Sequence, residues 1–293
     1  MNKKIVKTNP LLKYSMLIDE SGTREYMNRV MVGTAVTGLV RIEWVMGRYN
    51  QAVPPNWSMV AWQAWLASYN PLGWQVADAQ NLIVQQCLKS DYQWLLLIEH
   101  DNVLLADAFI RYNEWIKFGK YPMISGLYYT RAQPSEPLVF IGRGNSTYRD
   151  FKMGDLVWCD AVPTGTLLIH AGILKEIYND SPEYVINYAG SGIVARRVFE
   201  APASAQMDDH GDYHVAAGTS DINFCDRIIK GNYLRRAGWN KFMDDHADLP
   251  FLVDTNLFST HIEADGRQYP PNHMELKQQL YLAQLEAAKN GRS

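Results

Sequence analysis

The chain has 293 residues, 47% of them apolar, and a formal net charge of −3. That is ample for a sizeable core in one large domain or two closely fused halves. With 20% charged residues and a slightly acidic balance, it lacks the clustered Lys/Arg stripe of a dedicated duplex-binding surface. Aromatic residues reach 12%, with nine Trp and seventeen Tyr; such side chains fill cores and also line sites for sugars and bases. The three cysteines, Cys87, Cys159 and Cys225, have neither zinc-type nor redox-type spacing. Reduced, buried thiols and a soluble, cytoplasmic protein are expected. The basic N-terminus has no apolar run of signal-peptide length, and no window approaches the roughly 20 apolar residues of a membrane span.

Residues 1–27 read as a polar lead-in. "VMVGTAV" (30–36) is β-branched and apolar and predicts a first buried strand. A long irregular stretch follows, with "QAVPPNWSM" as its Pro-rich turn. Residues 74–88 place Val76, Ala79, Ile83 and Cys87 on one helical face. "WLLLI" (94–98) is the next strand. A helix over 104–117 aligns Phe109, Tyr112 and Ile116, and a strand over 121–129 follows. This alternation predicts a largely parallel α/β sheet, whose ligands gather at the carboxyl ends of the strands.

The second half is less regular. Residues 157–170 read as two short strands around a Pro-Thr-Gly turn, and "AGILKEIY" as a short helix. Residues 187–219 are rich in Gly, Ala, Asp and His, lack clear periodicity, and are expected to form a long loop acting as an acceptor lid. A helix over 220–232 turns Ile222, Cys225, Ile228 and Ile229 inward, with Ser220 as its N-cap. A strand at 251–255 precedes "FSTHIE" (258–263), and an amphipathic helix runs from His273 to Gly291.

Three features bear on chemistry. "WLLLIEHDN" runs a strand's worth of core into Glu99, His100 and Asp101. On an extended strand, residues two apart face the same way, so Glu99 and Asp101 would aim two carboxylates at one point. These repel unless a proton or cation lies between them, and a hard divalent ion suits them. A solvated strand end explains the same residues. His261 is a borderline ligand for Mn²⁺, or a histidine with no such role. Asp221 opens a helix, where the positive helix end favours an anion. It is either a cap or a general base for an acceptor hydroxyl. No G-x-G-x-x-G follows the first strand, and neither a P-loop nor a G-x-S-x-G elbow occurs.

Taken in order, these pieces resemble a glycosyltransferase of the GT-A fold, close to the family-2-like group, over residues 30–262. "ADAQNLIVQQCLKSDYQWLLLIEHDNVLLADAFIRY" resembles the helix and strand that end in the D-x-D motif, with Glu99 and Asp101 in place of its two acids. "YPMISGLYYTR" is similar to the following strand and "CDAVPTGTLLIHAGILKEI" to the acceptor-side segment. "TSDINFCDRIIKGNY" resembles the helix of the catalytic base, and "FLVDTNLFSTHI" the late strand with its metal-binding His.

The resemblance implies a Rossmann-type mixed sheet flanked by helices, as in nucleotide-diphospho-sugar transferases. It implies a nucleotide half at about 28–130, an acceptor half at about 150–262, and a helical tail at 263–293. It implies an inverting, hexosyltransferase-like enzyme in which Asp101, Glu99 and His261 hold Mn²⁺ (or Mg²⁺) against a nucleotide-diphosphate sugar, a UDP-sugar being favoured. Asp221 would be the base. Thr34, Glu43, Asn81 and His100 would lie near the nucleotide; Trp158, Asp160 and Gly165 would border the sugar or acceptor. The pattern departs at Glu99, a longer arm than Asp, at Ser220 before Asp221, and at Gln80, which stands where Arg is common. A sugar nucleotidyltransferase and a non-catalytic sugar-nucleotide binder are the alternatives. The acceptor is open among glycan, protein, lipid-linked sugar and modified nucleic acid, the last needing a local basic groove around Arg196, Arg197, Arg227, Arg235 and Arg236.

Overall fold

The computed structural model describes residues 17–18, 24–25, 30–36, 38–54, 57, 68–142, 146–188, 191–201, 203–207, 213–217 and 219–290. Most of the lead-in at 1–27 and much of the Pro-rich turn lie outside the described residues.

The first buried strand, β1 (Val30–Gly33), runs parallel to β2 (Ser68–Tyr69) and β3 (Trp94–Ile98). Between β1 and β2 the expected irregular stretch contains a helix, α1 (Ile42–Tyr49). Its inward face is carried by Trp44 and Arg48, four residues apart, while the apolar Ile42 and Met46 face solvent. Apolar periodicity therefore misreports this helix. In α2 (Val76–Lys89), Ala79, Ile83 and Cys87 are buried as expected, whereas Val76 in the first turn is exposed. A short strand, β4 (Asn102–Leu104), takes the start of the expected helix, so α3 is Ala108–Phe118, with Phe109, Tyr112 and Ile116 buried.

β5 (Met123–Gly126), β6 (Leu156–Cys159) and β7 (Thr166–His170) follow, and α4 (Ala171–Asp180) comes next. The expected loop at 187–219 is largely replaced by two antiparallel pairs. β8 (Glu183–Tyr188) pairs with β9 (Ser191–Arg196), and β10 (Ala203–Met207) with β11 (Tyr213–Ala217). Ile186 and Ala195 of the first pair join a small core cluster, with Tyr184 and Ile193 packed against it, and Val185 and Val194 stand exposed on the other face. With apolar residues on both faces, the pair lacks the polar–apolar alternation that marks a strand. Residues 189–190, 202, 208–212 and 218 of this stretch lie outside the described residues.

The chain ends with α5 (Ser220–Lys230), α6 (Tyr233–Arg236), α7 (Asn240–His246), β12 (Phe251–Asp254), β13 (Ser259–Ile262), β14 (Gln268–Tyr269) and α8 (His273–Asn290). Thr219, not Ser220, occupies the N-cap of α5, and its side chain makes no capping hydrogen bond.

The seven-stranded main sheet has the order β6-β12-β5-β7-β3-β1-β2. It is mixed rather than largely parallel, because β7 enters antiparallel between β3 and β5 and β6 lies antiparallel on β12. A run such as "TLLI", buried at every position, looks the same whichever way it runs, so its direction is not legible in its composition. β3 alternates between two cores: Leu95 and Leu97 pack with α2, α4 and α5, and Leu96 and Ile98 with α3. The architecture is thus a mixed α/β sheet with helices on both faces. Leu280 of α8 joins the larger core. Among the described residues no helix is long and apolar enough to cross a membrane.

Leu167 on β7 is fully buried in the larger core. Leu167→Ala should cost about 2–5 kcal/mol through lost burial and a residual cavity, read as a lowered midpoint in urea unfolding with an unchanged slope.

Candidate metal centre

β3, β5 and β12 run in the same direction, so their carboxyl ends share one edge of the sheet. Glu99 leaves β3 at that edge. The chain then turns, with Asn102 N donating to Glu99 O at 3.2 Å. Glu99 and Asp101 converge through this turn rather than through the alternation of an extended strand. The turn feeds β4, which pairs antiparallel with β13 so that Asn102 faces His261. Ile262 N donates to Asp101 O at 2.8 Å, locking the register.

This pairing brings Glu99, Asp101 and His261 together, each offering one ligand atom, all within 4.8 Å of one another. His261 Nε2 lies 3.3 Å from Asp101 Oδ2. Its Nδ1 lies 2.9 Å from the Tyr129 carbonyl. A carbonyl only accepts, so Nδ1 carries the proton and the ring is held with Nε2 toward the acids. Asp101 Oδ1 is buried and has no hydrogen-bond partner among the described residues. An unsatisfied carboxylate oxygen in the interior is costly. Together with a second carboxylate and an imidazole, it is a donor set that fits a divalent cation.

The charges confirm how crowded the site is. Burial, then repulsion from Asp101, pushes the Glu99 carboxyl up to about 8. Burial acts to raise Asp101 too, but the His261 hydrogen bond and the charges of His261, His100 and Arg131 hold it below the usual carboxylate range. Burial would lower His261, and the hydrogen bond and charge of Asp101 outweigh it, so the ring is raised.

Gly165 adjoins the triad. Its carbonyl accepts from Glu99 N at 2.9 Å, and its N–H donates to the Tyr128 hydroxyl at 2.8 Å. A Cβ there would collide with Tyr128 Oη and Asn102 Nδ2, so only glycine permits this approach. Asp221 sits in the first turn of α5, where Oδ1 accepts from Ile222 N at 3.0 Å. Its charge is among those that raise Glu99 and Tyr128, so it lies within electrostatic reach of both. Ser220 Oγ donates to Gln80 Oε1 at 3.3 Å, and Gln80 Nε2 to Thr164 Oγ1 at 2.9 Å. The buried Gln80 thus ties the start of α5 to the turn that carries Gly165.

Of the other expected site residues, Thr34 and His100 lie at this edge, and Glu43, Asn81, Trp158 and Asp160 are engaged in other contacts. Thr34 follows β1 at the same edge, fully buried, with its hydroxyl unpartnered among the described residues. Glu43 forms an ion pair with Arg41 at 2.7 Å. Asn81 is spent on Tyr184 Oη, Phe199 O and Phe199 N. Trp158 stacks on His246 at 3.9 Å on the far edge strand, and Asp160 accepts from Gly142 N at 2.8 Å. His100 lies in the turn between the two acids. The arginines of the expected basic groove are also occupied. Arg227 binds Arg197 O, Val198 O and Ser181 Oγ, and Arg196 pairs with Glu183. Arg235 and Arg236 pair with Asp244 and with Glu176 and Asp180, and Arg197 lies over Tyr184.

One residue was missed. Arg131 Nη1 lies 3.0 Å from Asp101 Oδ2. Its signal was an arginine within the loop leaving β5, at the edge where ligands gather.

No protein-family model matches the chain, and no curated protein matches it. Among solved structures it is similar to the crystal structure of A197 from STIV, at 12% identity and a TM-score of 0.48 over 83% of this chain and 91% of that one. It is also similar to the structure of CMP:2-keto-3-deoxy-manno-octonic acid synthetase complexed with CTP, at 8% identity and a TM-score of 0.27 over 89% of this chain and 100% of that one. Agreement at this level carries no functional information.

Between its ordinary value of 4.5 and about 8, Glu99 holds a proton in the folded protein that the unfolded chain has released. The contribution of Glu99 to stability in metal-free buffer is therefore fully present below that window and is lost as pH rises through it to about 8. The raised His261 adds to the fall, and the lowered Asp101 loses its contribution only at acid pH. Urea midpoints measured across the window should decline with pH in the wild type, and Glu99→Gln should flatten the slope.

Proposed function

We propose that the protein is a metal-dependent, inverting glycosyltransferase that moves a sugar from a nucleotide-diphosphate donor to an acceptor hydroxyl. The observation that carries this reading is the unpartnered, buried Asp101 Oδ1 beside Glu99 and His261 at the carboxyl edge of the sheet. Two carboxylates and an imidazole suit Mn²⁺, and Mg²⁺ less well because of the nitrogen. The ion, when bound, would supply positive charge for the departing diphosphate.

The chain's own residues have distinct tasks. His261, held by the Tyr129 carbonyl, presents Nε2 without rotating. Gly165 keeps the floor of the site close to Glu99. Asp221 takes the proton of the acceptor hydroxyl as its oxygen bonds to the anomeric carbon. The bond from that carbon to the diphosphate oxygen breaks, its electron pair staying on the oxygen, and the configuration inverts. Of the residues expected near the nucleotide, Thr34 keeps its assignment on the strength of its unpartnered hydroxyl at the same edge. Glu43, Asn81, Trp158 and Asp160 receive no role, since each is committed to another contact.

Thermal melting with UDP, GDP, CDP and dTDP, each with and without Mn²⁺, tests the reading. A ligand at about 100 times its dissociation constant adds about 2.7 kcal/mol, a rise of about 5 °C for a chain of this size. One nucleotide should give a metal-dependent rise that Asp101→Asn abolishes and Asp221→Asn retains. No rise with any of the four would sink the assignment.

A further inference from the structure

We propose that Arg131 is a movable cation of the active site: it neutralises Asp101 while the metal position is vacant, and it shifts to the donor's diphosphate when the ion enters. This inference rests on the glycosyltransferase reading above.

Asp101 Oδ2 is shared by the Arg131 guanidinium, with Nη1 at 3.0 Å, and the His261 imidazole, with Nε2 at 3.3 Å. The side chain of Arg131 is 48% exposed and that of Asp101 only 14%. The guanidinium therefore lies over the carboxylate from the solvent side, on the route by which a cation and a diphosphate would arrive. A divalent ion on Asp101 Oδ1 and a guanidinium on Oδ2 of the same carboxylate repel each other, which favours release of the arginine when the ion binds.

The surroundings favour a movement of the side chain and not of the loop. Thr130 N donates to Glu136 O at 2.8 Å, Glu136 N to Thr130 Oγ1 at 3.0 Å, and Ser135 Oγ to Thr130 O at 2.6 Å. The loop from Thr130 to Glu136 is closed on itself at its base. One residue before that base, the Tyr129 carbonyl holds His261. Arg131 is thus a flexible arm on a fixed pivot beside the ligand set. Its planar fork of donors matches the paired oxygens of a diphosphate. There it would meet the charge left on the leaving oxygen when the bond to the anomeric carbon breaks.

An exposed ion pair with no further role contributes little, and the two views separate in binding measurements. Mn²⁺ binding is followed by electron paramagnetic resonance without nucleotide. Binding of UDP, GDP, CDP and dTDP in the presence of Mn²⁺, and of the matching nucleosides, is followed by calorimetry. Arg131→Met should bind Mn²⁺ alone more tightly than the wild type, because a competing cation is gone. It should bind the preferred nucleoside diphosphate about tenfold more weakly, with the nucleoside unaffected. Arg131→Lys, which keeps the charge without the fork, should fall between. Unchanged or weaker Mn²⁺ binding in Arg131→Met, or an unchanged diphosphate affinity, overturns the proposal. Asp101→Asn distinguishes the two levels. If it binds Mn²⁺ as well as the wild type, the metal site itself is refuted. If it loses Mn²⁺ while Arg131→Met alters neither affinity, only the role of Arg131 falls.

Discussion

Two carboxyl groups at the end of a buried strand cannot both be charged without something positive close by, and the architecture of this edge follows from that constraint. Glu99 and Asp101 are separated by a single residue and brought together by a turn. The protein answers with a proton favoured on Glu99, an imidazole drawn toward its charged form, and a guanidinium laid over Asp101. Even so, one oxygen of Asp101 stays unsatisfied. Interiors do not leave such oxygens bare without reason. A divalent ion would satisfy that oxygen and relieve the repulsion between the acids at once.

The main sheet supplies the rigid frame for this balance. β7, inserted antiparallel, begins at the edge where β3 ends, with Thr166 opposite Ile98. The turn before it therefore lies against Glu99, and Gly165 closes the gap that any side chain would hold open. Gln80 extends the same scaffold to the helix of Asp221 through Thr164 and Ser220. The acid proposed to take the acceptor's proton and the acids proposed to hold the ion are positioned by one continuous set of buried contacts.

Part of this was legible in the sequence for simple reasons. "WLLLI" is apolar at every position, so a buried strand and its end at Glu99 could be read directly. α2 and α3 show their faces because their apolar residues recur at helical spacing. α1 does not, because a tryptophan and an arginine form its inward face. The direction of β7 was hidden because an apolar run has no polarity. The contact between Asp101 and His261 joins two segments far apart in the chain, and no local pattern encodes it. Trp158, which the resemblance set at the border of the sugar or acceptor, packs against His246, Tyr121 and Phe242. Charge was equally ambiguous: the arginines expected to form a groove were visible, but their acidic and carbonyl partners were not.

His261 reaches the site from a small separate sheet, β14-β13-β4, whose strand β4 grows directly out of the turn bearing the acids. The cluster of Glu99, Asp101 and His261 is therefore split between an early segment of the chain and a late one. During synthesis both acids leave the ribosome long before the histidine does, and domains tend to fold as units as they emerge. A nascent chain that has not yet produced β13 has a repelling pair of acids with no imidazole to steady them. The cluster is then completed late in biogenesis, once β12 has supplied its strand of the main sheet and β13 has followed it.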